Sequence, residues 1–255
     1  MRILLVEDNP TSRRVAQLLL GRLGHTPDTV NNGRDAVATV VDRDYDLVLM
    51  DVQMPNMDGL EATRLIRSQV PAARQPRIVA LTASAMVEDR ARCRQAGMDD
   101  YLPKPVRRAQ LEAVIGRVLG TVPARPPQGT AAATGREQAL RERLAELRDP
   151  EHPEDDELVA QLLRSFLDRA PVELHALGEA AARGDAPTVE QVAHALKGSA
   201  ANTGAAGVAR LCEQLERAGR AGDLGGAAGL LGQAQDELRE VEPLLAAAAG
   251  EHWPA

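Results

Sequence analysis

The sequence predicts an α/β domain built on a five-stranded, parallel, doubly wound sheet, followed by an all-α four-helix bundle. Three observations predict this. Short apolar runs alternate with helical patterns over residues 1–120. A Pro- and Gly-rich stretch, TVPARPPQGTAAATG, then occupies residues 121–135. After it no strand pattern returns. Aromatic residues make up only 2% of the chain against 44% hydrophobic residues. The cores must therefore be packed from Leu, Val, Ile and Ala, which suits helices and buried parallel strands.

The elements follow in order. Strand signals fall at Ile3–Val6, His25–Val30, Leu47–Met50, Ile78–Leu81 and Tyr101–Leu102. Asn9 and Pro10 form a cap and first turn, followed by Val15, Leu18, Leu19 and Leu23 at helical spacing, with Gly24 as a stop. Leu60–Arg67, Met86–Ala96 and Gln110–Leu119 read as further helices. Residues 121–135 read as a flexible linker that could span roughly 50 Å when extended. Residues 136–250 form the bundle and 251–255 a tail. Its helices are Arg136–Leu147, Asp155–Leu167, Val172–Ala182, Thr188–Ala200, Ala205–Ala218 and Ala227–Ala248. Breaks are expected at Asp149-Pro150, Pro171, Gly184-Asp185, Thr203-Gly204 and Gly219–Gly226.

Composition excludes several classes. The net charge of -7 and the lack of a basic run interleaved with aromatics argue against nucleic acid. Cys93 and Cys212 lie far apart and read as buried thiols, not a disulfide or a zinc site. No apolar run approaches the ~20 residues that span a bilayer. The start, MRILLVED, turns acidic too early for a signal peptide, so a cytoplasmic protein with no membrane partner is expected. There is no P-loop pattern, and AGDLGGAAGLLG has no strand before it.

The chemistry lies after the strands. Ile3–Val6 ends in Glu7-Asp8, Leu47–Met50 in Asp51, Ile78–Leu81 in Thr82, and Tyr101-Leu102 in Pro103-Lys104-Pro105. Ligands of open parallel sheets bind at the carboxyl ends of the strands. Three carboxylates gathered there repel and raise one another's pKa, and a divalent cation resolves this. Few carboxylates with open water positions suit Mg²⁺. Lys104 and Thr82 are then donors for a phosphate. The set fits in-line phosphoryl transfer onto a carboxylate.

The segment VLMDVQMPNMDGLEATRLIR, with IVALTAS and DDYLPKPV, resembles the receiver domain of two-component response regulators, over essentially all of residues 1–120. It is most similar to the receivers of hybrid sensor kinases. The resemblance implies a flavodoxin-like sheet with Asp51 as phosphoacceptor. It implies Mg²⁺ on Glu7, Asp8, Asp51 and the backbone carbonyl of Gln53. Lys104 would pair with the phosphoryl group, with its bond to Pro105 cis, and Ala83 would leave room beside the site. Thr82 and Tyr101 would be a switch pair, the ring rotating into the space the hydroxyl leaves. The acidic pair Glu-Asp departs from the usual Asp-Asp.

In the second half, His194 begins the run HALKGSA. Glycine inside a helix costs about 1 kcal/mol relative to alanine, so Gly198 needs a reason. It lies four residues after His194, on the same face, where a missing side chain admits a partner's backbone. Lys197 lies three residues on. Its charge favours a neutral imidazole and later a phosphoryl group on it. HALKGSA resembles the phosphoacceptor motif of histidine-containing phosphotransfer (Hpt) domains, and LCEQLERAGRAGD resembles that family's next helix, with Cys212 and Leu215 as packing positions. This likeness covers about residues 137–248. His25, His152, His175 and His252 read as structural or surface residues.

Nothing resembles an ATP-binding kinase domain, so the receiver would catalyse its own phosphorylation at Asp51 from a donor. Three readings follow. The chain is a phosphorelay intermediate between a sensor histidine kinase and a separate response regulator. Or it is a phosphate sink running in reverse. Or it is a phosphorylation-switched interaction module, binding a partner or a second copy as a receiver-mediated homodimer, in which the bundle only docks.

Overall fold

The computed structural model describes residues 1–82, 87–120, 136–148 and 152–250. The expected linker (121–135), the tail (251–255) and Ala83 lie outside the described residues. The chain divides into two compact units, Met1–Ala131 and Ala132–Ala255.

In the first unit, β1 (Ile3–Val6), β2 (Asp28–Val30), β3 (Leu47–Asp51), β4 (Arg77–Thr82) and β5 (Asp100–Pro103) form one sheet in the order β2-β1-β3-β4-β5. Every pairing is parallel. Every residue of β1 and β3 is buried, which explains why these strands are continuous apolar runs. α1 (Pro10–Arg22) packs with α5 (Arg108–Val118), while α2 (Gly33–Asp42) packs on α3 (Gly59–Gln69) and α3 on α4 (Val87–Ala96). α1 starts as expected: Asn9 accepts from the Ser12 amide at 3.0 Å and Pro10 opens the first turn.

The sequence reading assigns no helix to residues 33–42. The run VATVV has poor helix propensity. Burial of Ala36, Val37 and Val40 overrides it, and Asn32 caps α2 through the Asp35 amide at 2.8 Å. His25, expected in a strand, instead precedes β2.

The order reverses direction between β1 and β3, and that switch point opens a crevice at their carboxyl ends. Asp51 is the last residue of β3, and Glu7 and Asp8 directly follow β1. The loop after β3 is held tightly. The Gly59 amide donates to the Val52 carbonyl at 3.0 Å, and a Cβ at Gly59 would lie 2.1 Å from the Asp51 carbonyl oxygen.

In the second unit, α7 (Asp156–Ala182), α8 (Ala186–Thr203), α9 (Ala206–Ala221) and α10 (Ala227–Ala249) pack in sequence, and α10 closes back on α7. α6 (Arg136–Leu147) leans on α8 and α9. Its Arg143 is buried and donates to the Asn202 carbonyl and side chain at 3.1 and 3.0 Å. Among the described residues, no helix is long and apolar enough to cross a membrane.

One expected break is absent and another begins later than expected. α7 runs straight through Pro171. One buried stripe continues across it, from Phe166 and Ala170 to Leu174 and Leu177, and that packing outweighs the lost backbone bond. The break expected at Gly219–Gly226 starts only after α9 has run through Gly219 to Ala221. A Cβ there would lie 2.6 Å from the Glu190 amide, so this glycine serves the close crossing of α8 and α9.

Gly59→Ala should therefore destabilise the first unit by about 1–3 kcal/mol through overpacking. Thermal or chemical unfolding followed by circular dichroism checks this, and an unchanged transition would contradict the close approach.

Candidate functional site

Two polar centres stand out, one in each unit. In the first, Glu7, Asp8 and Asp51 bring carboxylate oxygens within 4.8 Å of one another. Glu7 and Asp51 are almost wholly buried, at 1% and 2% exposure. Lys104 bridges them: its Nζ lies 2.7 Å from Glu7 Oε2 and 2.7 Å from Asp51 Oδ2. The Lys104–Pro105 bond is cis. The Lys104 amide donates to the Thr82 carbonyl at 2.7 Å, tying the ends of β4 and β5 together. The Gln53 amide donates to Asp51 Oδ1 at 3.2 Å.

Burial pushes the Glu7 carboxyl well above the usual range, and the nearby Asp51 charge pushes it further. Burial works against the Lys104 charge, but Asp51 and Glu7 outweigh it and raise the lysine. Three carboxylates against one ammonium leave an excess of negative charge. All three are hard oxygen donors, which fits Mg²⁺.

In the second centre, His194 lies on α8 facing α9. Its Nδ1 is 3.2 Å from Oε1 of Glu216, a buried residue of α9. Lys197 pairs with the other oxygen of the same carboxylate. Arg220, one turn after Glu216, donates to Oε1 at 2.9 Å and to Glu190 at 2.8 Å. Of the expected residues, the structure thus brings His194 and Lys197 together, but through Glu216. Gly198 is partly exposed on the same helix.

Residues 3–116 match the response regulator receiver domain, and residues 161–243 match the Hpt domain. The chain is a receiver domain followed by an Hpt domain. This pairing supports a role in two-component phosphorelay signalling. Over 226 residues it is 30% identical to the signal transduction histidine-protein kinase BarA of Shigella flexneri, covering 87% of this chain and 24% of that protein. Over 121 residues it is 45% identical to the sensor protein GacS of Pseudomonas syringae pv. syringae, covering 47% of this chain and 13% of that protein. The chain therefore spans less than a quarter of either relative. Among solved structures it is similar to the receiver of the sensor histidine kinase PA1611 from Pseudomonas aeruginosa PAO1. The identity there is 45% and the TM-score 0.44, covering 47% of this chain and 97% of that one. That receiver holds a magnesium ion in its active-site cleft.

Glu216 of the Hpt domain is the member of this centre that sequence reasoning missed. Its signal was a lone acid inside the apolar stripe of α9, among Val208, Leu211, Cys212, Leu215 and Gly219. Burial alone would raise its carboxyl. The hydrogen bond to His194 and the Lys197 charge outweigh burial and hold it at about 2. An ionised carboxylate can only accept, so Nδ1 of a neutral His194 carries the proton and Nε2 keeps the lone pair.

A carboxyl lowered by folding stabilises above its ordinary value of 4.5, and that contribution is lost as the pH falls toward 2. Glu216→Gln should therefore lower the Hpt domain's melting temperature at neutral pH. The gap to the wild type should narrow steadily below about pH 4.5. Calorimetry across pH 7 to 3 measures it, and a gap independent of pH would contradict the ion network.

Proposed function

We propose that the chain accepts a phosphoryl group on Asp51 and carries or exchanges one on His194, between a partner sensor histidine kinase and a separate response regulator. The observation that supports this most is that one chain holds a buried Asp51 paired with Lys104 and, in the Hpt domain, a His194 that shares the Glu216 carboxylate with Lys197. Glu7, Asp8 and Asp51, with the Gln53 backbone carbonyl, are the proposed Mg²⁺ ligands. The metal, when bound, neutralises charge on the phosphoryl oxygens.

The Asp51 carboxylate attacks the phosphorus of the donor, and the donor's leaving group departs with the bonding pair. Lys104 turns from Glu7 and Asp51 toward the incoming oxygens, and Thr82 donates to another. In the next step His194 Nε2 attacks the acyl phosphate and the Asp51 carboxylate leaves. Glu216 fixes the reactive tautomer and takes up the positive charge that develops on the imidazole. Lys197, which shares the Glu216 carboxylate with His194, would turn to pair with the phosphoryl group. Residues 121–135 are proposed as the linker that raises the local concentration of one domain near the other.

Wild type, Asp51→Asn and His194→Gln should be incubated with Mg²⁺ and acetyl phosphate and followed by intact mass. Base-stable label on His194 should appear in the wild type and vanish in Asp51→Asn. Label confined to Asp51 would rule out transfer within this chain. Removing Mg²⁺ with a chelator should abolish labelling of Asp51. Glu216→Gln should slow labelling of His194 at least about tenfold while leaving that of Asp51 intact. Equal rates would show that Glu216 does not orient the imidazole.

A further inference from the structure

Four buried side-chain polar atoms lack a hydrogen-bond partner among the described residues, and two of them meet at one contact. They are the Tyr101 hydroxyl on β5 and Arg90 Nε on α4. The Arg90 guanidinium carbon stands 4.2 Å from the centroid of the Tyr101 ring. The ring itself packs partly against the receiver core.

These facts describe two opposed tendencies. A buried phenol hydroxyl without a partner is costly, and turning the ring out to water would relieve it. A guanidinium over the ring face, partly shielded from solvent, attracts the ring and keeps it turned in. The two effects are of the same order and oppose each other, so a change in either shifts the population of the ring.

We propose that Arg90 is a positioning residue for Tyr101: it holds the ring turned in, while the unpaired hydroxyl works to release it. The inference rests on the reading of Thr82 and Tyr101 as the switch pair of Asp51. In that reading the ring turns in when a phosphoryl group occupies Asp51. By linkage, whatever holds the ring in also strengthens binding of a phosphoryl group or its mimic. Arg90 thereby sets how readily the receiver reaches its phosphorylated form, without touching the reacting atoms.

The test uses the full chain with Mg²⁺ and beryllofluoride as the mimic, and reads bound beryllofluoride directly by fluorine NMR. Arg90→Ala should weaken affinity by about three- to tenfold. Arg90→Lys keeps a cation and should recover part of the loss. Tyr101→Phe removes the unpaired hydroxyl and should tighten binding, a direction that damage to the fold does not produce. On a Tyr101→Ala background, Arg90→Ala should have no further effect. Unchanged affinity in Arg90→Ala, or the same loss with Tyr101 absent, overturns the proposal while wild-type binding leaves Asp51 in its role. A wild type that fails to bind beryllofluoride overturns the Asp51 reading, and the role of Arg90 with it.

Discussion

A carboxylate buried away from water must be paired, and both functional centres are built on that constraint. Glu7, Asp51 and Glu216 are each nearly inaccessible to solvent. Each is matched by a lysine drawn from a separate element: Lys104 beyond β5 for the first two, Lys197 on α8 for the third. Removing Lys104 would leave buried carboxyl groups without their cation, and removing Lys197 would leave Glu216 with only His194 and Arg220. The pairs therefore pin the ends of the strands together in one domain, and α8 to α9 in the other. The groups equipped for chemistry are also the ones that fix local geometry.

The two centres differ in their charge balance, and this explains their different needs. The receiver crevice gathers three carboxyl groups around one ammonium, an oxygen-donor set that fits a divalent cation. The network around His194 sets Glu216 and Glu190 against Lys197 and Arg220, two carboxylates against two cations. In the proposed relay, a phosphoryl group on His194 would meet cations already in place.

Backbone proximity makes both centres rigid. Gly59 lets the start of α3 press on the end of β3, which holds the Asp51 carbonyl region in place. Gly219 lets α9 approach α8 closely, one turn from Glu216 and one turn from His194. In each case the absent side chain acts at the contact next to the reactive residue, so a change there should be felt in chemistry as well as in stability.

Much of this was legible in the sequence. The apolar runs of β1 and β3 needed no tertiary information, because strands buried on both faces are apolar at every position. Glu7, Asp8, Asp51, Thr82 and Lys104 could be gathered by one rule, that ligands meet at the carboxyl ends of parallel strands. His194, Lys197 and Gly198 could be grouped because helical periodicity is local. α2 escaped because its β-branched run contradicts its state, and Pro171 misled because tertiary packing carried α7 across it. Glu216 lies 22 positions from His194, and no local period connects them. The same holds for Arg90 and Tyr101, which meet only once α4 has folded against β5. The sequence by itself determined the order of elements, the two candidate acceptors Asp51 and His194 and the excess of acid in the first crevice, since these follow from composition and short-range period. Only the tertiary structure decided which charge neutralises which and which nitrogen of His194 is free, because those depend on contacts between elements that the chain brings together by burying them.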